Sequence, residues 1–167
     1  MKQERQDGFS LVEVLITIAI ITIVLTIAIP SFQGYAINRN LKAAARSIES
    51  DIFELKERAI AENRQYRMTF TVGTGTYTID QCTVTGSSCP AWQAPVGIQQ
   101  NKTLALFDNS ISITNAAFAG GVPTVIFQTR GTVNGAGGSV TITNSRGSSA
   151  VIAVNITGRA SVRFDLQ

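Results

Sequence analysis

Between Asp7 and Arg39 the chain carries one charged side chain, the carboxylate of Glu13. A carboxylate inside an uncharged span has two readings. Buried in lipid it is costly, so it implies a function and a partner of opposite charge. One turn inside the membrane edge, it can reach the interface and stay solvated. Burial alone leaves the two open. The other residues with chemical potential are sparse. There is no histidine, which removes an imidazole base and His-ligated metal sites. Asp80, Asp108 and Asp165 are isolated carboxylates, and the serines cluster in turn-like stretches with no base to activate them. The pattern argues against an enzyme, and no cofactor is expected.

Cys82 and Cys89 are the only cysteines, too few for a tetrathiolate zinc site. In an oxidising compartment they pair and close a small loop over residues 83–88. If the chain is not exported, they are two unrelated thiols.

The elements that carry these residues follow from polarity and period. Residues 14–37 contain no charged side chain, and those from Arg39 to Arg67 are densely charged. The apolar run over residues 9–29 spans about 31 Å as a helix, close to the hydrocarbon thickness of a bilayer. Its many β-branched residues are poor helix formers in water. In lipid the backbone must satisfy its own hydrogen bonds, and a helix is the single-segment solution. A secretory signal peptide would have a shorter apolar region ending at a small-residue cleavage site. Here helical patterning continues instead.

Beyond Pro30, apolar residues recur at Ile37, Leu41, Ala45, Ile48, Ile52, Leu55 and Ala59, the spacing of one helical stripe. The other face carries Lys42, Arg46, Glu49, Glu54, Glu57, Arg58 and Glu62. One nearly continuous helix over residues 9–63 is expected, with a kink or local weakening at Pro30 and added softness at Gly34.

The rest is β-rich. Short β-branched or alternating runs at 66–72, 76–80, 104–107, 110–114, 124–128, 139–143, 150–156 and 160–164 are separated by Gly, Asn and Ser. They predict an antiparallel sheet with hairpins punctuated by turns such as the glycine-rich run at 135–138. The amphipathic half of the helix is the available cover for one face. The expected class is α+β, in four parts: residues 1–8, an apolar helix over 9–30, an amphipathic helix over 31–64, and a β head over 65–167.

Formal charge is +3. Residues 1–64 are balanced, so the surplus lies in the head, where Arg67, Lys102, Arg130, Arg146, Arg159 and Arg163 outnumber Asp80, Asp108 and Asp165. Arg146, Arg159 and Arg163 are the candidates for contacts to phosphate, the main source of nonspecific nucleic-acid affinity. So small a surplus favours an ordinary solvated surface over a DNA-binding track.

The run Gly8-Phe9-Ser10-Leu11-Val12-Glu13-Val14, followed by the long apolar stretch and Pro30, resembles the leader junction of type IV pilins and type II secretion pseudopilins. The resemblance implies a pilin fold and cleavage between Gly8 and Phe9 by a prepilin peptidase. It also implies N-methylation of the new Phe9 amine. Glu13 would match the family's acidic residue, which neutralises the Phe9 amine of a neighbouring subunit during assembly. The chemistry is consistent: Gly8 leaves the scissile backbone unobstructed, and cleavage creates a positive charge in an apolar layer that Glu13 can offset.

Positive-inside counting does not orient the segment, since Lys2 and Arg5 face Arg39, Lys42 and Arg46 across it. The leader resemblance does, with residues 1–8 cytoplasmic and the head outside the inner membrane. It implies other pilins, the assembly platform of the inner membrane and the membrane itself as partners.

Within the head, Val125-Ile126-Phe127 leading to Gly131, and Ile152-Ala153-Val154 leading to Gly158-Arg159, resemble the GspH/FimT family of minor pilins and H-type pseudopilins. That family carries a Phe-x-x-x-Gly element and a terminal Gly-Arg turn. The resemblance implies a low-copy filament subunit, either a minor type IV pilin that helps start assembly near the tip or an H-type pseudopilin. Some FimT-like members also capture DNA. On residue chemistry alone, Gly131 and Gly158 are ordinary turn glycines.

Overall fold

The computed structural model describes residues 9–167, with backbone only for 27–33. The chain divides into two units, Met1–Ala36 and Ile37–Gln167. One α-helix, α1 (Leu11–Ala61), contributes residues to both, and neither Pro30 nor Gly34 ends it.

In the second unit, α1 buries the stripe read from the sequence. Leu41, Ala45, Ile48, Ile52, Leu55 and Ala59 are fully buried and joined by Ala44, while Ile37 is half-buried. Burying each of the larger aliphatic side chains contributes about 1.5–3 kcal/mol. The helix stops because Asn63 adopts a left-handed conformation, φ 47°, which asparagine tolerates better than most residues. Its carbonyl accepts a hydrogen bond from the Gly86 amide, and β1 begins at the next residue.

Nine strands follow: β1 (Arg64–Thr71), β2 (Thr76–Thr85), β3 (Trp92–Gln93), β4 (Asn101–Thr103), β5 (Ser112–Ala117), β6 (Thr124–Phe127), β7 (Gly138–Thr143), β8 (Ser149–Val154) and β9 (Ala160–Asp165). They form two antiparallel sheets rather than one. The first has the order β3-β2-β1-β6, with β4 also on β2, and the second β5-β7-β8-β9. Alternation sends Tyr66, Met68, Phe70, Val125 and Phe127 inward from the first. Val140, Ile142, Ala150, Ile152 and Val154 point inward from the second, and both sets share one core with α1.

Two local expectations change. Residues 104–107 are not a strand. Leu104–Leu106 form a 3-10 turn capped by Thr103, whose Oγ1 accepts from the Ala105 amide at 3.2 Å, and only Leu104 of the three is buried. The strand lies just upstream, as β4. The glycine run at 135–138 closes no hairpin: it links β6 in one sheet to β7 in the other.

Candidate functional site

In the first unit, Phe9 and Ser10 precede α1, and Phe9 is 82% exposed. Glu13 lies in the first turn, where a carboxylate is favoured by the helix dipole, and its side chain is exposed. The Val14 amide donates to the Ser10 carbonyl at 3.2 Å, so the turn that carries Glu13 is closed. Gly8, and with it the expected cleavage point, lies outside the described residues.

Every residue from 11 to 26 is exposed, including eleven large apolar side chains on all sides of the helix. A helix apolar all round requires an apolar surrounding. The three threonines of this stretch conform to that demand. Thr17, Thr22 and Thr26 donate their hydroxyls to helix carbonyls three or four residues back, at 2.8, 2.8 and 2.7 Å. Each therefore hides its own donor. Among the described residues no helix is long and apolar enough to cross a membrane. The fully described apolar stretch ends at Thr26.

In the second unit the cysteines are paired. Cys82 on β2 is bonded to Cys89, with Cα atoms 5.5 Å apart. The bridge sits at the end of the head where β3 returns to β2, with Cys82 opposite Trp92. Trp92 in turn lies under the Arg67 guanidinium, 4.7 Å from the ring centroid, and Arg67 donates from Nε to Asp80 at 2.8 Å.

The three candidate arginines do not form a track. Arg146 is in the exposed turn between β7 and β8, with its amide bound to Asn144 Oδ1. Arg163 points outward from β9 beside Val151. Arg159 belongs to the β8–β9 turn, whose shape is set by Asn155: its Oδ1 accepts from the Arg159 amide at 2.9 Å and from the Thr157 hydroxyl at 2.7 Å.

Gly131 and Gly158, ordinary turn residues by chemistry, converge. Both are buried and have positive φ, 77° and 71°. A Cβ on Gly131 would meet Ile60 Cδ1 at 2.6 Å and Lys56 Cε at 3.3 Å. One on Gly158 would run into the carbonyl oxygen of Gly131 and meet Lys56 Cδ at 3.3 Å. The two turns thus press on each other and on α1, a contact only residues without a side chain allow. Arg159 is carried by this contact into a cleft of about 590 Å³ that also receives Arg46 and Lys56 from α1. Reading along the chain missed this grouping, because more than a hundred residues separate Arg46 from Arg159. The two quoted glycines were the signal that could have found it.

Comparisons with known proteins bear on the family and the fold. Residues 4–29 match the model of the prokaryotic N-terminal methylation motif, and residues 44–158 match that of type II transport protein GspH. Among solved structures, one of the minor pseudopilin EpsH of Vibrio cholerae superposes with a TM-score of 0.57 at 16% identity. The overlap covers 76% of this chain and 97% of that one. A second EpsH structure gives 0.55 at 17% identity, over 75% and 93%. The type IV minor pilin FimU of Pseudomonas aeruginosa gives 0.49 at 14% identity, over 74% and 92%. No curated protein sequence matches. At such identities the EpsH structures establish the fold, an N-terminal helix on antiparallel sheets. The family model spans well over half of the sequence, and the chain belongs to the GspH family of pilin-like proteins, with an N-terminal methylation motif ahead of its head.

Proposed function

We propose that this chain is a low-copy subunit of a pilus-type filament, helping to initiate assembly near its tip. Prepilin peptidase removes residues 1–8 by cutting between Gly8 and Phe9, and the Phe9 amine is methylated. The apolar half of α1 then holds the subunit in the inner membrane with the head outside, until the assembly platform transfers it into the filament. There Glu13 offsets the Phe9 amine of a neighbouring subunit.

The observation that carries the reading is the single first-turn carboxylate on a helical stretch, residues 11–26, whose apolar side chains are exposed all round, in a chain with a GspH-type head. Lipid and a bundle of like helices are the two surroundings that suit such a segment, and a filament subunit passes from one to the other. The test replaces Glu13 with Ala in the full chain and follows surface filaments and recovery of the subunit with them. Wild-type filament number and recovery would reject the role. Intact mass of the wild type gives the processing step: a chain starting at methylated Phe9 supports it, and an intact Met1 rejects it.

A second reading, an H-type pseudopilin of a type II secretion system, is favoured by the type II transport description of the matched family. Deleting the gene separates the two, since loss of twitching marks a pilus and loss of protein secretion a pseudopilus.

A further inference from the structure

The cleft at the two-glycine contact has a composition that the core and the leader do not explain. Arg46 and Lys56 enter it from α1 and Arg159 from the β8–β9 turn, with Glu49 the one carboxylate among its lining residues. None of the three cations takes part in a salt bridge among the described residues, although α1 pairs Arg58 with both Glu54 and Glu62 one turn away. Phe53 stands on the same wall with 63% of its surface exposed. Like charges gathered round a concavity repel each other and focus a positive potential into it. The arrangement is also held in place. Because Gly131 and Gly158 have no side chains, the stem of Lys56 lies against both turns, and the buried Gly158 fixes where Arg159 leaves the backbone.

We infer that this cleft is a docking site for an acidic segment of a neighbouring filament subunit, which sets a carboxylate among Arg46, Lys56 and Arg159 and an apolar side chain on Phe53. The inference rests on the filament reading above. Charge complementarity selects the occupant: three cations against one carboxylate leave a surplus for an anion. Phe and Arg together are the residue types enriched at protein interfaces. Glu49 argues for a peptide over a nucleic acid, because a peptide can turn an amide N–H toward it, whereas a phosphate backbone brings only further negative charge.

The test uses the full chain in cells, with the photo-crosslinking residue p-benzoylphenylalanine in place of Phe53. The expected crosslink, mapped by mass spectrometry, lies on another filament subunit within a few residues of an Asp or Glu. Charge reversal by Arg46→Glu with Arg159→Glu is expected to lower its yield roughly tenfold or more, while Arg46→Lys with Arg159→Lys keeps most of it. An intact Cys82–Cys89 bond and a protease-resistant head show that the variants fold. A crosslink on an acid-free segment, a yield indifferent to charge reversal, or no crosslink from a subunit that still copurifies with filaments would overturn the inference and leave the function standing. So would a duplex DNA oligonucleotide that the full chain shifts in a manner lost in the charge-reversed variant. A wild-type chain that never copurifies with filaments overturns both.

Discussion

The Tyr77 hydroxyl on β2 donates a 2.6 Å hydrogen bond to Oδ2 of Asp51 on α1, and the other oxygen of that carboxylate faces Lys102 Nζ on β4 at 3.3 Å. Asp51 is only 7% exposed, so the head holds a charged group at the helix-sheet junction by giving both of its oxygens a partner. A buried charge satisfied from one side is far less favourable than one satisfied from two. Asp51→Ala removes the acceptor and leaves the Tyr77 hydroxyl buried and Lys102 unpaired. The expected loss is about 3 kcal/mol, measured by urea denaturation of residues 37–167, the unit that contains the core. Tyr77→Phe removes one bond only and is expected to cost about 1–2 kcal/mol.

Alkaline pH tests a second contact, between β1 and the turn that follows α1. Tyr66 donates to Glu62 at 2.6 Å, and burial together with that carboxylate pushes its phenol up to about 12. A raised value means that the folded state holds the proton more tightly than the unfolded chain. The resulting stability is complete below the ordinary phenol range near 10 and is lost as pH rises from there through about 12. Burial and the neighbouring Asp51 charge raise Tyr77 as well. Stability measured across that window is expected to fall with pH, and Tyr66→Phe is expected to flatten the slope. A parallel pair of curves would reject the assignment.

The glycine contact predicts an asymmetry. Alanine at either position meets a left-handed backbone that costs about 1 kcal/mol. At Gly131 the new methyl meets the tip of Ile60, a flexible side chain, whereas at Gly158 it meets backbone. Gly158→Ala should therefore lower the denaturation midpoint more than Gly131→Ala. Equal effects would mean that the two turns do not bear on each other.

The Cys82–Cys89 bridge closes a loop with a sequence separation of seven residues. For so short a loop, restriction of the unfolded chain contributes about 2–2.5 kcal/mol. Reduction, or the double change Cys82→Ser with Cys89→Ser, is expected to cost that amount in chemical denaturation. The β3 end of the first sheet should lose hydrogen-exchange protection first.

Features set by short-range rules were legible from the residues alone. The stripe from Leu41 to Ala59 reports its own buried face, since period and amphipathicity are local. The β1, β6, β7, β8 and β9 strands stand within one or two residues of their expected places, because alternation is local too. The run Leu104-Ala105-Leu106-Phe107 misled for a related reason: four consecutive apolar residues show no period, and the Thr103 cap decided the conformation. The two-residue β3 left no pattern to read. The division into two sheets, and the meeting of Arg46, Lys56 and Arg159, depend on pairings between distant strands. No local rule contains them. The cysteine pair, by contrast, needed only the premise of an oxidising compartment.

One small polar cluster bears on how the head would carry load. Asn38, near the start of the head's portion of α1, accepts on Oδ1 from Ser148 Oγ at 2.9 Å and Asn144 Nδ2 at 3.1 Å. It also donates from Nδ2 to the Gln167 carbonyl at 3.0 Å, and the Gln167 amide donates back to Ser148 Oγ at 2.9 Å. Residues 129 positions apart in sequence are thereby tied at one point. A pull entering the head along the helix at Asn38 is divided at once between α1 and the β7–β8 turn beyond β9. Extraction then requires several bonds to break together rather than one after another.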